Sequence, residues 1–383
     1  ITALIVILPA VFLLQASPHA AGPPAPEPEP PHVVFIAGDE EYRSEESLPL
    51  LASILAQDHG VRTTVLYSLD AEGHIDPNAL DNIPGTDVLA TADMLVLFTR
   101  FRALPNEQLA PILEFAKTGR PVVGFRTATH AFRYPEDDLE HAPLNDAWPR
   151  QLFGQRWITH HGHFDDGKLP LTRVEPAKNS THPILRGVTP FDAYSWLYHV
   201  EGGGDSLSGE PTPPASGTTL KSYHAARHDR FPASNPVAWI YENDPTSGRP
   251  SRVFFTTLGH PYDFRSESCR RLILQGLLWA LGQEATIPAA GITIRPTDDW
   301  RPPNSGIGNF NRSNPRNLML GRLKVATPRS SDQTFWVDQT DPLVDGEQEK
   351  QKQPALEEIL LPKPPERGIV TEISDMYTEF FKD

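Results

Sequence analysis

The chain has 383 residues and a formal net charge of −15 at pH 7, from 34 Lys and Arg against 49 Asp and Glu. Proteins that bind the phosphate backbone of nucleic acids carry a basic surface, so this balance argues against nucleic acid as a partner. The single cysteine, Cys269, excludes an intrachain disulfide framework, cysteine-ligated iron–sulfur clusters and haem attached through a Cys-x-x-Cys-His motif. The glycine run at residues 202–204 lacks the strand–loop–helix spacing of a nucleotide-binding loop.

The first 21 residues have the pattern of a secretory signal peptide. Residues 1–15 (ITALIVILPAVFLLQ) are almost all apolar, and residues 16–21 (ASPHAA) are mostly small. The apolar run is shorter than the ~20 residues that a membrane-spanning helix needs. We therefore predict export, to a periplasm or outside the cell, with no stable membrane span after processing; an uncleaved anchor is the alternative. Residues 22–31 (GPPAPEPEPP) follow as an extended Pro/Glu linker.

Short apolar runs alternate with helical patterns between residues 32 and 283. Strands are predicted at residues 32–38, 61–68, 93–100, 121–126, 236–241 and 252–258, and helices at 47–57, 105–119 and 266–281. Such apolar strands are typical of a parallel sheet with helices on both faces. The pattern therefore predicts a doubly wound α/β domain. Residues 139–234 carry weaker signals and are interpreted as a loop-rich interval that shapes one side of a cleft.

Regular apolar periodicity fades from about residue 284 onward, where proline-rich segments such as RPTDDWRPPNSG (residues 295–306) predominate. We predict an extended proline-rich C-terminal arm over residues 284–383. Its large apolar residues could anchor it to the body: Trp300, Phe310, Phe335 and Trp336. The arm is also where we expect contacts between copies of the chain if the protein is a homo-oligomer.

Polar clusters follow directly after four of the predicted strands. Ligands of open parallel sheets bind outside the carboxyl ends of the strands, so we expect these clusters to meet at one site. The candidate residues are Asp39, Glu41, Tyr42 and Arg43 after the first strand, Arg100 and Arg102 after the third, Arg126 and His130 after the fourth, and His260 and Asp263 after the last.

The segment PVVGFRTATHAF (residues 121–132) occupies the place of a nucleophile elbow, a tight strand-to-helix turn that usually carries Ser or Cys. Here Arg126 stands at the apex. Because arginine stays protonated, we predict that it clamps an anion or an array of sugar hydroxyls. His130 and His260 are the predicted acid/base pair, and Asp263 is expected to orient His260 by accepting a ring N–H.

A second histidine cluster lies in WITHHGHF (residues 157–164). His161 and His163 would lie on one face of a strand, a spacing that a metal site can use, but Asp or Glu would have to complete the ligand set. The pair His224 and His228 is a weaker signal. A divalent metal therefore stays an open alternative, and His161 is also a candidate substrate contact.

Four segments together resemble the ThuA-like (trehalose utilisation) family, within the class I glutamine-amidotransferase-like superfamily. They are VVFIAGDEEYRSEES, RPVVGFRTATHAF, WITHHG and RVFFTTLGHPYDF with the following helix ending in LLWALG, within residues 31–282. The resemblance implies a flavodoxin-like three-layer sandwich, a mainly parallel sheet and a role in the catabolism of trehalose or keto-sugars. The superfamily uses Cys at the elbow with a His-x-Glu pair. Here Arg126 replaces the Cys and Tyr262 stands at the Glu position after His260, so glutaminase activity is not expected.

Our first functional hypothesis is an exported lyase, hydrolase or isomerase acting on a small-molecule carbohydrate. His130 and His260 would move protons and Arg126 would bind a developing anion. The residues predicted to contact substrate are Asp39, Glu41, Tyr42, Arg43, Arg100, Arg102 and His161. Two alternatives are a non-catalytic sugar-binding or scaffold protein of the cell envelope, and a hydrolase whose metal is held by histidines.

Overall fold

The computed structural model describes residues 29–162, 169–242, 250–297 and 300–306. The predicted signal peptide, most of the linker and the arm beyond residue 306 lie outside these residues, as do His163, Phe310, Phe335 and Trp336. In the described ranges, no helix has both the length and the apolar character required to span a membrane.

The described residues form one large sheet, one two-stranded ribbon and four α-helices. The strands are β1 (His32–Gly38), β2 (Arg62–Tyr67), β3 (Met94–Thr99), β4 (Val122–Phe125), β5 (Thr159–His160), β6 (Thr172–Pro176), β7 (Phe191–Ala193), β8 (Tyr198–His199), β9 (Thr212–Thr219), β10 (Ser234–Glu242) and β11 (Arg252–Thr256). The helices are α1 (Ser44–His59), α2 (Asn106–Lys117), α3 (Pro143–Phe153) and α4 (Glu267–Ala280). Short 3-10 turns occupy several of the connections.

The large sheet has a parallel half and an antiparallel half. Its strand order is β2-β1-β3-β4-β11-β10-β9-β6-β7, and every pair from β2 to β11 is parallel. Beyond β11 every neighbouring pair is antiparallel. β5 and β8 form the separate ribbon, in which His160 is paired with Tyr198. The parallel half confirms the predicted flavodoxin-like core.

Helices cover both faces of the parallel half, which gives three layers. Alternate residues of β1 explain why: Val33 and Phe35 join the cluster that includes α1 and α4, whereas Val34 and Ile36 join the cluster that includes α2 and α3. A strand buried on both faces reads as a continuous apolar run. This is the reason the sequence pattern predicts these strands correctly.

The antiparallel half comes largely from the interval interpreted as loop-rich. β9 reads TPPASGTT and is half exposed, and its pairing with β10 is interrupted by two register shifts around Ala238. Proline removes a backbone donor, and such strands occur at sheet edges or bulges. With polar and exposed positions throughout, β6, β7 and β9 lack the apolar run that identified the parallel strands.

The start of the C-terminal arm belongs to the hydrophobic core. Ile287, Ile292, Ile294 and Trp300 are all buried in the cluster that contains α1 and α4, and the Trp300 ring meets Phe264 edge-on at 6.4 Å. Trp300 therefore anchors the start of the arm to the body, as the sequence predicts. The chain then crosses to the end of β1, where the Gly306 N–H donates to the Glu41 carbonyl at 2.8 Å.

We expect Gly276→Ala to destabilise the protein, although alanine favours a helix over glycine by about 1 kcal/mol. A Cβ at position 276 would lie 2.6 Å from the fully buried Phe254 ring, where α4 packs on β11. The clash should lower the free energy of unfolding by about 1–3 kcal/mol. Denaturant unfolding measures this, with Glu114→Ala on the exposed face of α2 as a control expected within about 0.5 kcal/mol. An unchanged or increased stability for Gly276→Ala would contradict the close packing.

Candidate functional site

A cleft of about 280 Å³ opens at the carboxyl edge of the parallel strands. It is lined by Glu41, Tyr42, Arg100, Phe101, His130, Trp157, His160 and Tyr198. The sequence pattern predicts four of these as site residues, namely Glu41, Tyr42, Arg100 and His130. The predicted convergence of the loops after β1, β3 and β4 is therefore present in the structure, and the remaining wall comes from elsewhere.

Arg126 stands at the sharp turn after β4, with a φ of 38° that few residues other than glycine adopt. Its buried guanidinium is stacked between two rings, 4.1 Å from the centre of Tyr42 and 4.3 Å from that of Tyr198. Nη1 donates to the carbonyls of Trp196 and Thr257 at 3.1 and 2.7 Å, and Nη2 donates to the Tyr42 hydroxyl at 3.0 Å. The sequence pattern predicts that Arg126 faces a ligand, but the structure places its side chain behind the cleft wall.

Charged groups after β1 and β3 form a compensated network at one side of the cleft. Glu40 pairs with both Arg100 and Arg102, and the Glu41 carboxylate lies 3.1 Å from Nε of Arg100. The Arg100 guanidinium also packs over the Phe101 ring, 4.3 Å from its centre. Because two carboxylates share Arg100, this cation presents little net positive charge to a ligand.

Four predicted substrate contacts lie outside the cleft lining, namely Asp39, Arg43, Arg102 and His161. Arg102 is fully buried, and its Nη1 donates to Ser68, Pro77 and Ala79. These hydrogen bonds from Arg102 hold the loop after β2 in place. Its guanidinium is thus committed to the protein.

Asp39 and Arg43 are likewise committed to the loop after β1. The Asp39 carboxylate accepts from the backbone N–H groups of Glu41 and Tyr42, at 2.7 and 2.5 Å, and from the Thr127 hydroxyl. Burial, together with the neighbouring glutamates, raises the pKa of Asp39 to about 6. Arg43 donates to the Gly306 carbonyl at 2.9 Å. Both residues shape the loop that presents Glu41 and Tyr42.

His130 forms the floor of the cleft among aromatic rings. Its ring centre lies 5.0 Å from that of Phe101 and 5.6 Å from that of Trp157. Burial, and then the charges of Arg100 and Arg126, lower the pKa of His130 well below its usual value. The ring is therefore uncharged near neutral pH.

The hydrogen bonds of Thr129 favour the tautomer of His130 that carries its proton on Nδ1. The Thr129 hydroxyl donates to the Arg126 carbonyl at 3.1 Å, so its oxygen is left to accept from Nδ1 of His130 at 3.2 Å. A neutral imidazole carries one proton, and a proton on Nδ1 leaves Nε2 as a free acceptor. His130 thus offers a lone pair and not a proton.

His160 is the second histidine of the cleft, and the sequence analysis does not select it. Its Nδ1 donates to the Gly162 carbonyl at 3.0 Å, which leaves Nε2 unprotonated, and its ring packs 4.5 Å from that of Trp196. Burial lowers the pKa of His160 to about 3, with the charge of Arg126 acting in the same direction. The cleft thus contains two uncharged imidazoles whose Nε2 atoms have no hydrogen-bond partner among the described residues.

The prediction that Asp263 accepts a hydrogen bond from the ring of His260 is wrong. Asp263 accepts instead from the backbone of Tyr194 at 2.6 Å and from the Ser195 hydroxyl at 2.5 Å, because the turn after β11 directs its carboxylate into the protein. Nδ1 of His260 accepts from the Tyr262 N–H at 3.0 Å, and the ring stacks on Tyr194. Neither His260 nor Asp263 is among the residues lining the cleft.

His161 points away from the cleft into a separate histidine cluster. It is fully buried, its Nδ1 lies 2.8 Å from the Ser222 hydroxyl, and the rings of His224 and His228 lie within 6 Å of its own. Within the described ranges, three donor atoms lie close enough for a metal only at Asp70, Glu72 and His74, a partly exposed loop after β2. A metal at His161 and His163 stays a prediction, since His163 lies outside the described residues.

Four residues of the cleft are not predicted as site residues from the sequence, namely Phe101, Trp157, His160 and Tyr198. The pairing of β5 with β8 brings His160 beside Tyr198, and the Trp157 N–H donates to the Thr129 carbonyl at 3.1 Å. The local signal is the aromatic and histidine content of WITHH and WLYH. Two-residue strands carry no periodicity, so nothing in the sequence places them opposite each other.

The free energy of unfolding is expected to rise with pH between about pH 4.5 and 6. Burial lowers the pKa of eight histidines, so the folded protein holds them uncharged where the unfolded chain, below about pH 6.5, binds protons. They are His59, His130, His160, His161, His182, His199, His224 and His260. The stability they contribute is complete above pH 6.5 and is lost as the pH falls toward their folded values, which for His161 and His224 are about 4.

Buried carboxyls act in the opposite direction and reduce this slope. Burial raises the pKa of Asp39 to about 6, that of Glu45 to about 8 and that of Asp263 above its usual value, so each retains a proton that the unfolded chain releases. Each group contributes at most about 1.4 kcal/mol per pH unit, and the histidines outnumber the carboxyls. Thermal melts at pH 4.5, 5, 5.5 and 6 should show a rising Tm. A flat or falling Tm would contradict the buried, uncharged histidines.

These observations define an α/β protein with a flavodoxin-like core and a small aromatic cleft at the carboxyl edge of its parallel strands. The chain belongs to the ThuA family, whose model, described as trehalose utilisation, matches residues 33–280. This confirms the family resemblance and relates the protein to trehalose utilisation.

Two solved structures of ThuA-like proteins are similar to this chain. The one from Bacteroides uniformis is 12% identical, with a TM-score of 0.42, and the match covers 68% of this chain and 95% of that one. The one from Parabacteroides merdae is 15% identical, with a TM-score of 0.43, and the match covers 71% of this chain and 94% of that one. No protein with a curated description matches the sequence.

Proposed function

We propose that the cleft binds one ring of a sugar, or of its oxidised derivative, and that an imidazole of the cleft moves a proton on that ring. The observation that carries the proposal is that His130 and His160 line the same cleft, both uncharged and both with Nε2 free. A histidine in this state is a general base. The pair replaces the predicted partnership of His130 with His260.

The side chains that line the cleft suit the ring of a sugar. Trp157 and Tyr198 offer apolar faces on which the C–H face of a sugar ring can pack. Glu41 and Arg100 add polar groups that can hydrogen-bond to hydroxyls.

The proton transfer that suits this arrangement begins at a carbon next to a carbonyl. Nε2 of His160 takes the proton, and the electron pair of the broken C–H bond moves onto the carbonyl oxygen. In an elimination the enolate electrons then re-form the carbonyl and a new C=C bond, the C–O bond to the glycosidic oxygen breaks, and the imidazolium gives its proton to that oxygen. In an isomerisation the imidazolium gives its proton to the former carbonyl carbon, while the proton of the hydroxyl on the deprotonated carbon moves to the oxyanion. The negative charge that develops on the substrate raises the pKa of the nearby imidazole while the proton is held.

Proton exchange in heavy water tests the proposal. Purified protein is mixed with a panel of keto-hexoses and 3-keto-disaccharides, and proton NMR follows the C–H next to each carbonyl. We expect deuterium uptake or elimination for at least one member. Binding without exchange or turnover across the panel would favour the non-catalytic sugar-binding alternative, and activity that a chelator removes would favour the metal-dependent hydrolase.

We also propose that the protein is exported, on the basis of the apolar run at residues 1–15 and the small residues up to 21. N-terminal sequencing of the protein recovered from separate cell fractions tests this. A mature N-terminus near residue 22 outside the cytoplasm is the expected result. An intact residue 1 in the cytoplasmic fraction would contradict it.

A further inference from the structure

Two tyrosine hydroxyls of the cleft have protons that no described residue accepts. The Tyr42 oxygen accepts a hydrogen bond from Arg126, which leaves its own O–H free to donate. Among the described residues the Tyr198 hydroxyl has no hydrogen-bond partner, and its oxygen is not fully enclosed by protein. Since Tyr198 lines the cleft, this hydroxyl is open to a ligand.

A positive charge without a carboxylate partner lies directly behind these rings. The guanidinium of Arg126 is 4.1 and 4.3 Å from the ring centres of Tyr42 and Tyr198, and its hydrogen-bond acceptors are two carbonyls and one phenol. Arg100, by contrast, is shared by two glutamates. The positive potential at the tyrosine wall therefore comes from Arg126, and the charge of the Glu41 carboxylate, which also acts on this guanidinium, reduces it in part.

We propose that the hydroxyls of Tyr198 and Tyr42 form an oxyanion-binding pair, with Arg126 as the positioning residue behind them. The inference rests on the proposed function: when His160 takes a proton from carbon, the electron pair moves to the carbonyl oxygen, which accepts two hydrogen bonds from the phenols. When the proton returns, the pair moves back and the two bonds weaken. No oxidant, reductant or further reactant is consumed.

Donors fixed before the reaction stabilise a developing charge more effectively than water, because they need no reorganisation. Burial raises the pKa of both phenols, so each keeps its proton and acts as a donor throughout the neutral range. The backbone of Arg126 is held at a φ of 38°, a strained conformation that tends to persist at functional sites. Both features fit a prearranged oxyanion site.

A pair of small probes separates oxyanion binding from binding in general. Glycolate has an anionic oxygen on a planar carbon next to a carbon that bears a hydroxyl, which resembles an enediolate, and glycolamide is its uncharged counterpart of the same size. NMR titration at pH 7 should show that the wild-type protein binds glycolate at least five-fold more tightly than glycolamide. We expect Tyr198→Phe and Tyr42→Phe each to weaken glycolate binding about ten-fold and to change glycolamide binding less than two-fold.

The matched control is Tyr134→Phe, which removes a hydroxyl that donates to the Leu104 carbonyl away from the cleft. It should leave both affinities unchanged. Equal loss of both probes in Tyr198→Phe, or no loss of either, would overturn the inference. The failure of this inference can be distinguished from the failure of the proposed function. If His160→Gln stops proton exchange but Tyr198→Phe and Tyr42→Phe leave the preference for glycolate over glycolamide unchanged, only the oxyanion pair is wrong. If exchange persists in His160→Gln, the base assignment is wrong.

Discussion

His160→Gln is expected to lower the rate of proton exchange on a responsive keto-sugar by about 10²–10⁴-fold, the usual contribution of a positioned general base. Glutamine keeps a donor that can reach the Gly162 carbonyl but has no basic nitrogen in the cleft. Sugar binding should change by less than about three-fold, because the aromatic walls of Trp157 and Tyr198 are unaltered.

The matched control for His160→Gln is His141→Gln, because His141 is a partly buried histidine whose Nδ1 pairs with Asp138 outside the cleft. It should retain the wild-type exchange rate. His260→Gln is informative as well: the sequence analysis places His260 in the acid/base pair, whereas the structure leaves it outside the cleft lining. Full exchange in His160→Gln together with loss in His260→Gln would restore the original pair.

Arg126→Met is expected to lower the free energy of unfolding by about 3–5 kcal/mol, because three polar groups lose their donor and each buried unsatisfied group costs about 1–3 kcal/mol. The change leaves the carbonyls of Trp196 and Thr257 and the Tyr42 hydroxyl without their donor, and each unpaired buried group is costly. Denaturant unfolding measures the loss. Arg173→Met, which removes an exposed ion pair with Asp192, should cost less than about 1 kcal/mol.

The backbone of Arg126 allows a second comparison at the same position. With a φ of 38°, any residue that has a Cβ is strained, and glycine is not. Arg126→Gly should therefore be more stable than Arg126→Ala by about 1 kcal/mol, the reverse of the order expected in a helix. Equal stabilities, or a more stable alanine variant, would show that the left-handed turn is not retained in solution.

The parallel half of the fold could be predicted because burial on both faces leaves a direct trace in the sequence. The apolar runs of β1, β3 and β4 are continuous, and the residues after them follow from the rule for ligand sites in open sheets. Glu41, Tyr42, Arg100 and His130 reach the cleft for this reason. The antiparallel half has exposed and proline-containing strands, whose pairing depends on tertiary contacts.

The rest of the site could not be predicted because side-chain direction depends on distant partners. Arg100 and Arg102 are equivalent in the sequence, yet one lines the cleft and the other is enclosed by the loop after β2. His160 and His161 are adjacent, and the alternation of side chains along an extended chain sends them to opposite sides of the ribbon. Only the pairing of β5 with β8 decides which of the two faces the ligand.

The most direct test of this account is the protonation state of His160 in the cleft. Long-range nitrogen–proton NMR spectra of protein labelled with ¹⁵N-histidine, assigned with His160→Gln, report the tautomer and the titration of each ring. The account predicts that His160 carries its proton on Nδ1 and stays uncharged from pH 8 to pH 5, since its pKa is about 3. A proton on Nε2, or a titration near pH 6.5, would contradict it.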